Sequence, residues 1–191
     1  MRLPPQPGEW LDRSAALRFR FEGRDYSGYA GDSISAALWA AGQYTLGRSF
    51  KYHRPRGVLT LANHDINVML QSPQAMNIRG DVQALCEGMD LVAVNTAGGV
   101  DNDRNRYMGL LARFLPVGFY YKAFHTKALF PLWERVIRNF SGLGQLDLAK
   151  PALHTPKRYD FCDVLVIGAG VSGLQAALHA ARAGAQVVVV D

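Results

Sequence analysis

Cysteine and long apolar runs are both scarce in this chain of 191 residues. It has two cysteines, Cys86 and Cys162, too far apart to form a disulfide framework, so we expect a reducing, cytoplasmic environment. Residues 1–10 contain three prolines and no apolar segment, and we therefore expect no secretory signal. The most apolar stretch, residues 164–181, is interrupted by three glycines, which argues against a membrane span.

Disorder is also excluded by composition. Apolar residues make up 49% of the chain and charged residues 19%, which is enough apolar surface to offset the entropy of chain ordering. The length fits one domain, or one small domain together with part of another.

Positive charge is concentrated in one segment rather than spread over the chain. Residues 48–56, RSFKYHRPR, carry four Lys or Arg and no acid, and without them the formal net charge of +5 would be +1. A nucleic-acid protein usually spreads its basic surface and adds a reading motif, so we expect no nucleic-acid partner. An anionic cofactor or an acidic partner surface would explain the cluster equally well.

The first hundred residues have the pattern of a small α+β domain. Residues 16–21 alternate apolar and basic side chains, which predicts a half-buried strand, and Gly23 predicts a hairpin turn. Asp32 or Ser33 can cap a helix that Gly42 ends. The remaining predictions are a return strand at residues 26–29, the helix at 34–41, and strands at 58–61, 66–70, 82–85 and 91–94.

The middle of the chain is predicted to be a helical connector. Residues 96–103 have the composition of a loop, in which Asp101 and Asp103 are expected to face solvent. Helical spacing marks residues 107–115 and 129–140. Two prolines and two lysines in residues 149–159 indicate a linker.

The last thirty residues predict a β-α-β unit with a dinucleotide fingerprint. An apolar strand at residues 162–167 leads into G-x-G-x-x-G at residues 168–173, then an Ala-rich helix at 171–183 and a strand at 186–190. The next residue, Asp191, lies 18 positions after Gly173, close to the interval expected for a ribose ligand. We therefore predict an α/β Rossmann unit.

Each glycine of the fingerprint has a physical role. Gly168 permits the tight turn, Gly170 lets the backbone approach a pyrophosphate, and Gly173 lets the helix pack closely on the strand. The free N–H groups at the helix start would bind the phosphates. The predicted cofactor-binding residues are Gly168, Ala169, Gly170, Val171, Ser172, Gly173 and Asp191. NAD and FAD both fit this pattern, whereas NADP fits poorly because its 2′-phosphate would lie beside Asp191. The alternative to a cofactor site is a glycine-rich turn that binds no nucleotide.

Three motifs together resemble a known family. They are GRSFKYHRPRG at residues 47–57, GFYYKAF at 118–124, and the W-E-R-x-I-R and S-G-L-G pair within 133–144. In this order, ahead of the fingerprint, they resemble the N-terminal part of the alpha subunits of heterotetrameric sarcosine oxidases. Related amine and opine oxidases and N-methylglutamate dehydrogenases share the pattern.

The resemblance implies a function that the residues alone do not. It implies part of a flavoenzyme complex that oxidatively demethylates sarcosine to glycine, with a one-carbon unit and hydrogen peroxide as further products. The other partners would be beta, gamma and delta subunits, with NAD bound by this subunit and FMN at the interface with the beta subunit. The fragment alone would be inactive, and we assign no catalytic residue.

The resemblance also implies a β-grasp, ferredoxin-like fold for the first domain. Relatives of this fold can hold a [2Fe–2S] cluster on four thiolates, but residues 42–61 contain no cysteine. We therefore expect a cluster-free domain. Three of the five histidines, His53, His64 and His125, lack the spacing of a metal site and are expected to be exposed or hydrogen-bonded.

The predicted domains are an N-terminal arm at residues 1–15, the β-grasp domain at 16–95, the connector and linker at 96–160, and the Rossmann unit at 161–191. The second functional hypothesis is an assembly module of a related amine or opine oxidase or dehydrogenase. In this hypothesis the bound nucleotide is structural, and the module docks a partner subunit through Arg48, Lys51, Arg54 and Arg56.

Overall fold

The computed structural model describes residues 2–59, 69–114, 118, 127–141, 144 and 156–191. The chain divides into two compact units, Met1–Leu148 and Ala149–Asp191. The finer domain bounds expected from the sequence stay a prediction. Within the described residues, no helix is both long enough and apolar enough to cross a membrane.

The first unit combines a mixed sheet with helices. In chain order the elements are β1 (Asp12–Phe21), β2 (Arg24–Ala30), α1 (Ile34–Ala40), β3 (Gly47–Arg48), β4 (Pro55–Arg56), β5 (Met69–Gln71), β6 (Ile78–Arg79), β7 (Asp90–Ala93), a 3₁₀ helix (Arg104–Phe114) and α2 (Phe130–Ser141). The strands of the sheet follow the order β2-β1-β7-β5-β6, in which β1 and β7 are parallel and the other neighbours antiparallel. Strands β3 and β4 form a separate antiparallel hairpin.

The predicted first hairpin is confirmed. Phe19 and Phe21 of β1 point into the core, as the alternation predicts. The turn adopts positive φ at both central residues, Glu22 and Gly23, the geometry that matches the twist of two-residue hairpins. Strand β1 begins earlier than predicted because Asp12 pairs with Ala30 across an irregularity in the register.

Helix α1 begins at a serine cap and packs on the sheet. The Ser33 hydroxyl accepts a hydrogen bond from the Ala36 N–H at 3.3 Å, so Ser33 rather than Asp32 is the cap. Asp32 is instead buried, and its carboxylate accepts two hydrogen bonds from the Arg2 guanidinium, at 2.8 and 2.6 Å. Ile34 and Leu38 are fully buried, and each such side chain contributes about 1.5–3 kcal/mol.

Several predicted elements differ from the structure. Residues 82–85 form no strand: Val82 is 50% exposed, and Ala84 makes only an isolated bridge to Ser33. The predicted helix at 107–115 is a 3₁₀ helix that starts at Arg104. Residues 58 and 59 are not in a strand. The rest of these predictions cannot be compared with the structure because it falls outside the described residues, at 60–68, 115 and 149–155.

The second unit is a parallel β-α-β arrangement. Strand β8 (Val164–Ile167), helix α3 (Val171–Arg182) and strand β9 (Val187–Val190) follow the predicted order. Strands β8 and β9 pair from Val164↔Val187 to Ile167↔Val190. Along β8, half-buried and exposed side chains alternate, and Ile167 is 82% exposed. The continuous apolar run of this strand predicts burial on both faces. Within the described chain, one face is exposed instead.

Candidate functional site

The turn between β8 and α3 has the backbone that the glycine pattern predicts. Gly168 has φ of +104°, a conformation that disfavours any residue with a side chain. Its N–H donates to the Val190 carbonyl at 2.7 Å, which ties the turn to the end of β9. Gly170 is the N-cap of α3, with φ of −65° and no side-chain cap. The N–H groups of the first helical turn thus lack a capping side chain and can bind an anion.

The second and third glycines of the motif meet different surroundings. A Cβ on Gly173 would overlap the carbonyl oxygen of Gly168, so close packing of α3 on β8 requires glycine there. A Cβ on Gly170 would meet nothing within 4 Å, and its φ suits any residue. The packing of the chain therefore does not explain Gly170, whereas the close approach of a ligand would.

Asp191 lies beside the same turn. Its Oδ1 accepts a hydrogen bond from the Ala169 N–H at 2.8 Å. The seven predicted cofactor-binding residues are thus gathered at one end of the β-α-β unit. The uncapped start of α3, which is the positive end of the helix dipole, can bind a phosphate. The Asp191 carboxylate can bind a neighbouring hydroxyl group. Whether they do so stays a prediction.

In the basic segment, one arginine is turned inward. The Arg48 guanidinium donates to the carbonyls of Val100, at 2.7 Å from Nε, and of His53, at 3.1 Å. Lys51 and Arg54 lie over the Tyr52 ring, each 4.7 Å from its centroid. The four basic side chains therefore do not form one common surface for an anion, since Arg48 binds the protein's own backbone.

A buried contact between a histidine and an aspartate lies beneath this hairpin. His53 Nδ1 is 2.8 Å from Asp103 Oδ2, and neither side chain is exposed. The prediction that Asp103 faces solvent was therefore wrong, while Asp101 is exposed as expected. Asp103 also accepts from the N–H groups of Ala97 and Asn105, at 2.9 and 3.1 Å. An Asp that precedes a helix by one residue is a local capping signal, and it could have indicated this role.

His53 is a hydrogen-bonded histidine, as predicted, whereas His64 and His125 lie outside the described residues. Much of the motif at residues 118–124 also lies outside them.

A small polar cleft of about 350 Å³ opens near the first turn. Glu22 lines it and accepts a hydrogen bond from the Ala93 N–H at 2.8 Å. Burial raises the pKa of Glu22 above its ordinary value, and the nearby carboxylate of Asp101 adds to the rise. The Ala93 hydrogen bond opposes it.

Two family models match parts of the chain. Residues 14–96 match a 2Fe-2S iron-sulfur cluster binding domain, and residues 156–191 match the C-terminal domain of alanine dehydrogenase/PNT. The first match supports the ferredoxin-like class predicted for the N-terminal domain.

The chain is also similar to curated proteins over nearly its whole length. It is 42% identical over 95% of its length to sarcosine oxidase subunit alpha of Rhizobium meliloti (strain 1021). Identity to the proteins of the same name from Corynebacterium sp. strains P-1 and U-96 is 29% and 27%, over 100% and 96% of this chain. The predicted resemblance is thus confirmed. The chain spans 19%, 16% and 15% of the lengths of these relatives.

Among solved structures, L-proline dehydrogenase from P. horikoshii matches 42% of this chain and 16% of its own, with 24% identity and a TM-score of 0.35.

The family match corrects one prediction. We expected no iron–sulfur cluster, and this is contradicted by the match of residues 14–96 to a cluster-binding domain. Such clusters are held by four cysteine thiolates, whereas the matched range contains only Cys86, which is exposed. In the part of the chain that the structure describes, no three His, Cys, Asp or Glu side chains are grouped to hold a metal ion. The described residues thus do not supply the usual donor set for such a cluster.

Proposed function

We propose that this chain is the N-terminal part of the alpha subunit of a sarcosine oxidase-like flavoenzyme complex. Its contribution is to bind NAD at the turn of residues 168–173 and to take part in assembly with beta, gamma and delta subunits. The similarity to three sarcosine oxidase alpha subunits over nearly the whole chain supports this assignment. In our proposal the β-α-β unit is the start of a Rossmann domain.

The reaction of the whole complex is the oxidative demethylation of sarcosine. Sarcosine, water and oxygen give glycine, a one-carbon aldehyde and hydrogen peroxide. The methyl C–N bond breaks, and the two electrons removed from the substrate reduce oxygen. We assign no catalytic residue in this chain, whose contribution is to bind and orient a nucleotide.

The observation that carries the proposal for NAD is the free space at Gly170. A Cβ there would meet nothing within 4 Å, and the helix start behind it carries no side-chain cap. A pyrophosphate at this position would accept hydrogen bonds from the first N–H groups of α3 and interact with its dipole. The Asp191 carboxylate lies beside this turn, and it would accept from a ribose hydroxyl and repel a 2′-phosphate. When bound, NAD supplies a hydride-accepting nicotinamide ring.

Nucleotide binding by the full-length protein tests this function. We expect NADH to bind, and NADPH to bind at least about tenfold more weakly because its 2′-phosphate would face Asp191. Bound FAD that gentle purification retains, together with no affinity for NADH, would support the FAD alternative. A protein that binds none of these nucleotides would contradict the proposal.

The second candidate, an assembly module, is favoured by the position of Arg54. Its guanidinium is exposed and stacks on Tyr52 at the tip of a hairpin held by backbone hydrogen bonds, such as Ser49 N–H to the Arg54 carbonyl at 2.9 Å.

Under this hypothesis Arg54→Glu abolishes co-purification with the beta subunit and leaves the nucleotide content unchanged. Arg18→Glu, at an exposed arginine of β1, is the control. Equal co-purification of both variants with the beta subunit would rule out docking through this tip.

A further inference from the structure

The glycine turn has almost no side-chain support of its own. A Cβ on Gly168 or on Gly170 would meet nothing within 4 Å, so no group lies where a side chain at either position would project. Glycines also lose more conformational entropy on ordering than other residues. The shape of the turn in the nucleotide-free protein therefore depends on its hydrogen bonds and on the close contact between Gly173 and the Gly168 carbonyl.

Two hydrogen bonds join the turn to the end of β9. The Gly168 N–H donates to the Val190 carbonyl at 2.7 Å, and the Ala169 N–H donates to Asp191 Oδ1 at 2.8 Å. The first is a backbone bond that any residue at 190 would make. The second depends on the side chain at 191, and a carboxylate acceptor makes it stronger than a neutral one would.

We propose that Asp191 is a positioning residue for the glycine turn. Its Oδ1 holds the Ala169 N–H before any nucleotide binds, while Oδ2, which has no hydrogen bond among the described residues, remains available to a ribose hydroxyl. The ribose contact rests on the proposed function, but the positioning role does not. Because the turn is ordered in advance, a nucleotide would bind without bearing the entropic cost of ordering it.

Two substitutions separate the positioning role from the charge. Asp191→Asn keeps an acceptor oxygen at nearly the same place and removes the charge. Asp191→Ala removes both. If Asp191 only contacts or repels nucleotides, neither variant changes the turn in the nucleotide-free protein.

The chain offers a matched control at the opposite end of the strands. Asp163 Oδ2 accepts a hydrogen bond from the Gln186 N–H at 2.8 Å, so the same kind of carboxylate-to-backbone bond exists away from the turn. Asp163→Ala should affect the exchange of the Gln186 amide and leave that of Ala169 unchanged. The Gly168 amide, bonded to a backbone carbonyl, is an internal reference.

Hydrogen–deuterium exchange in the full-length, nucleotide-free protein tests the proposal. We expect the Ala169 amide to exchange about tenfold faster in Asp191→Ala than in the wild type. In Asp191→Asn, it should stay within about threefold of the wild type, because a neutral acceptor retains most of the bond. Equal exchange of the Ala169 amide in the wild type and in Asp191→Ala would overturn the positioning role.

A binding titration on the same proteins tests the nucleotide role separately. Asp191→Asn should lose most of the preference for NADH over NADPH, since the charge that repels the 2′-phosphate is gone. If the wild type binds no nucleotide, the proposed function fails, while the exchange result still decides the positioning role.

Discussion

His53 Nδ1 and Asp103 Oδ2 lie 2.8 Å apart, and both side chains are fully buried. This pair joins the tip of the β3–β4 hairpin to the loop before the 3₁₀ helix. Arg48 joins the same two segments through its hydrogen bond to the carbonyl of Val100. The basic segment is therefore fixed to the domain by part of its own charge.

Removing the Asp103 carboxylate leaves the groups that bond to it without an acceptor. We expect Asp103→Ala to lower the free energy of unfolding, measured by urea denaturation, by about 1–3 kcal/mol for each buried group left without its hydrogen bond. Asp101→Ala, two residues away at an exposed ion pair with Arg24, should cost about 1 kcal/mol or less. Equal losses for the two variants would show that burial does not set the strength of the Asp103 interactions.

Gly173 is required by packing rather than by a ligand. Gly173→Ala would place a methyl group against the Gly168 carbonyl, and we expect it to destabilise the β-α-β unit by about 1–3 kcal/mol. Hydrogen exchange of the β9 amides in the full-length protein would measure this loss. Gln175→Ala, at an exposed position of the same helix, is the control and should leave exchange unchanged. Unaltered β9 protection in Gly173→Ala would contradict the close helix–strand contact.

Glu22 should make the stability of the first domain depend on pH. Since burial raises its pKa in the folded protein above the ordinary value of 4.5, the folded state binds this proton more tightly than the unfolded state. The stability that protonated Glu22 contributes to the folded state is fully present below pH 4.5, and it is lost as the pH rises through the pKa of Glu22 in the folded protein.

Glu22→Gln should therefore be more stable than the wild type at pH 7, with a difference that disappears at acidic pH. Gln also keeps an oxygen to accept the Ala93 N–H. Thermal denaturation across pH measures the difference, and Asp25→Asn, whose side chain is 89% exposed, is the control. A variant less stable than the wild type at pH 7 would show that the carboxylate is needed for more than this hydrogen bond.

Elements that are determined by residues close together in the chain could be predicted from the sequence. The hairpin around Gly23, helix α1 and the β-α-β unit follow from side-chain periodicity and from turn and cap residues a few positions apart. The grouping of Asp191 with the glycine turn also follows, because the ends of adjacent parallel strands meet at one edge of a sheet.

Long-range pairs were not predictable in this way. The burial of Asp103 depends on His53, which is 50 positions away in the chain, and the inward orientation of Arg48 depends on Val100. The predicted strand at residues 82–85 failed for a similar reason. Its apolar residues suit a strand, but the Leu85 N–H bonds to the Asp32 carbonyl at the start of α1 instead of to a neighbouring strand.

The most direct test of the central claim is a calorimetric titration of NADH into the full-length wild type and Gly170→Ala. A Cβ at position 170 meets no protein atom within 4 Å, and φ there is −65°, so we expect an unchanged melting temperature. The same methyl group would lie where the backbone must approach the pyrophosphate, and we expect NADH affinity to fall about tenfold or more. Equal NADH affinity in the two proteins, or no binding by the wild type, would contradict a nucleotide site at this turn.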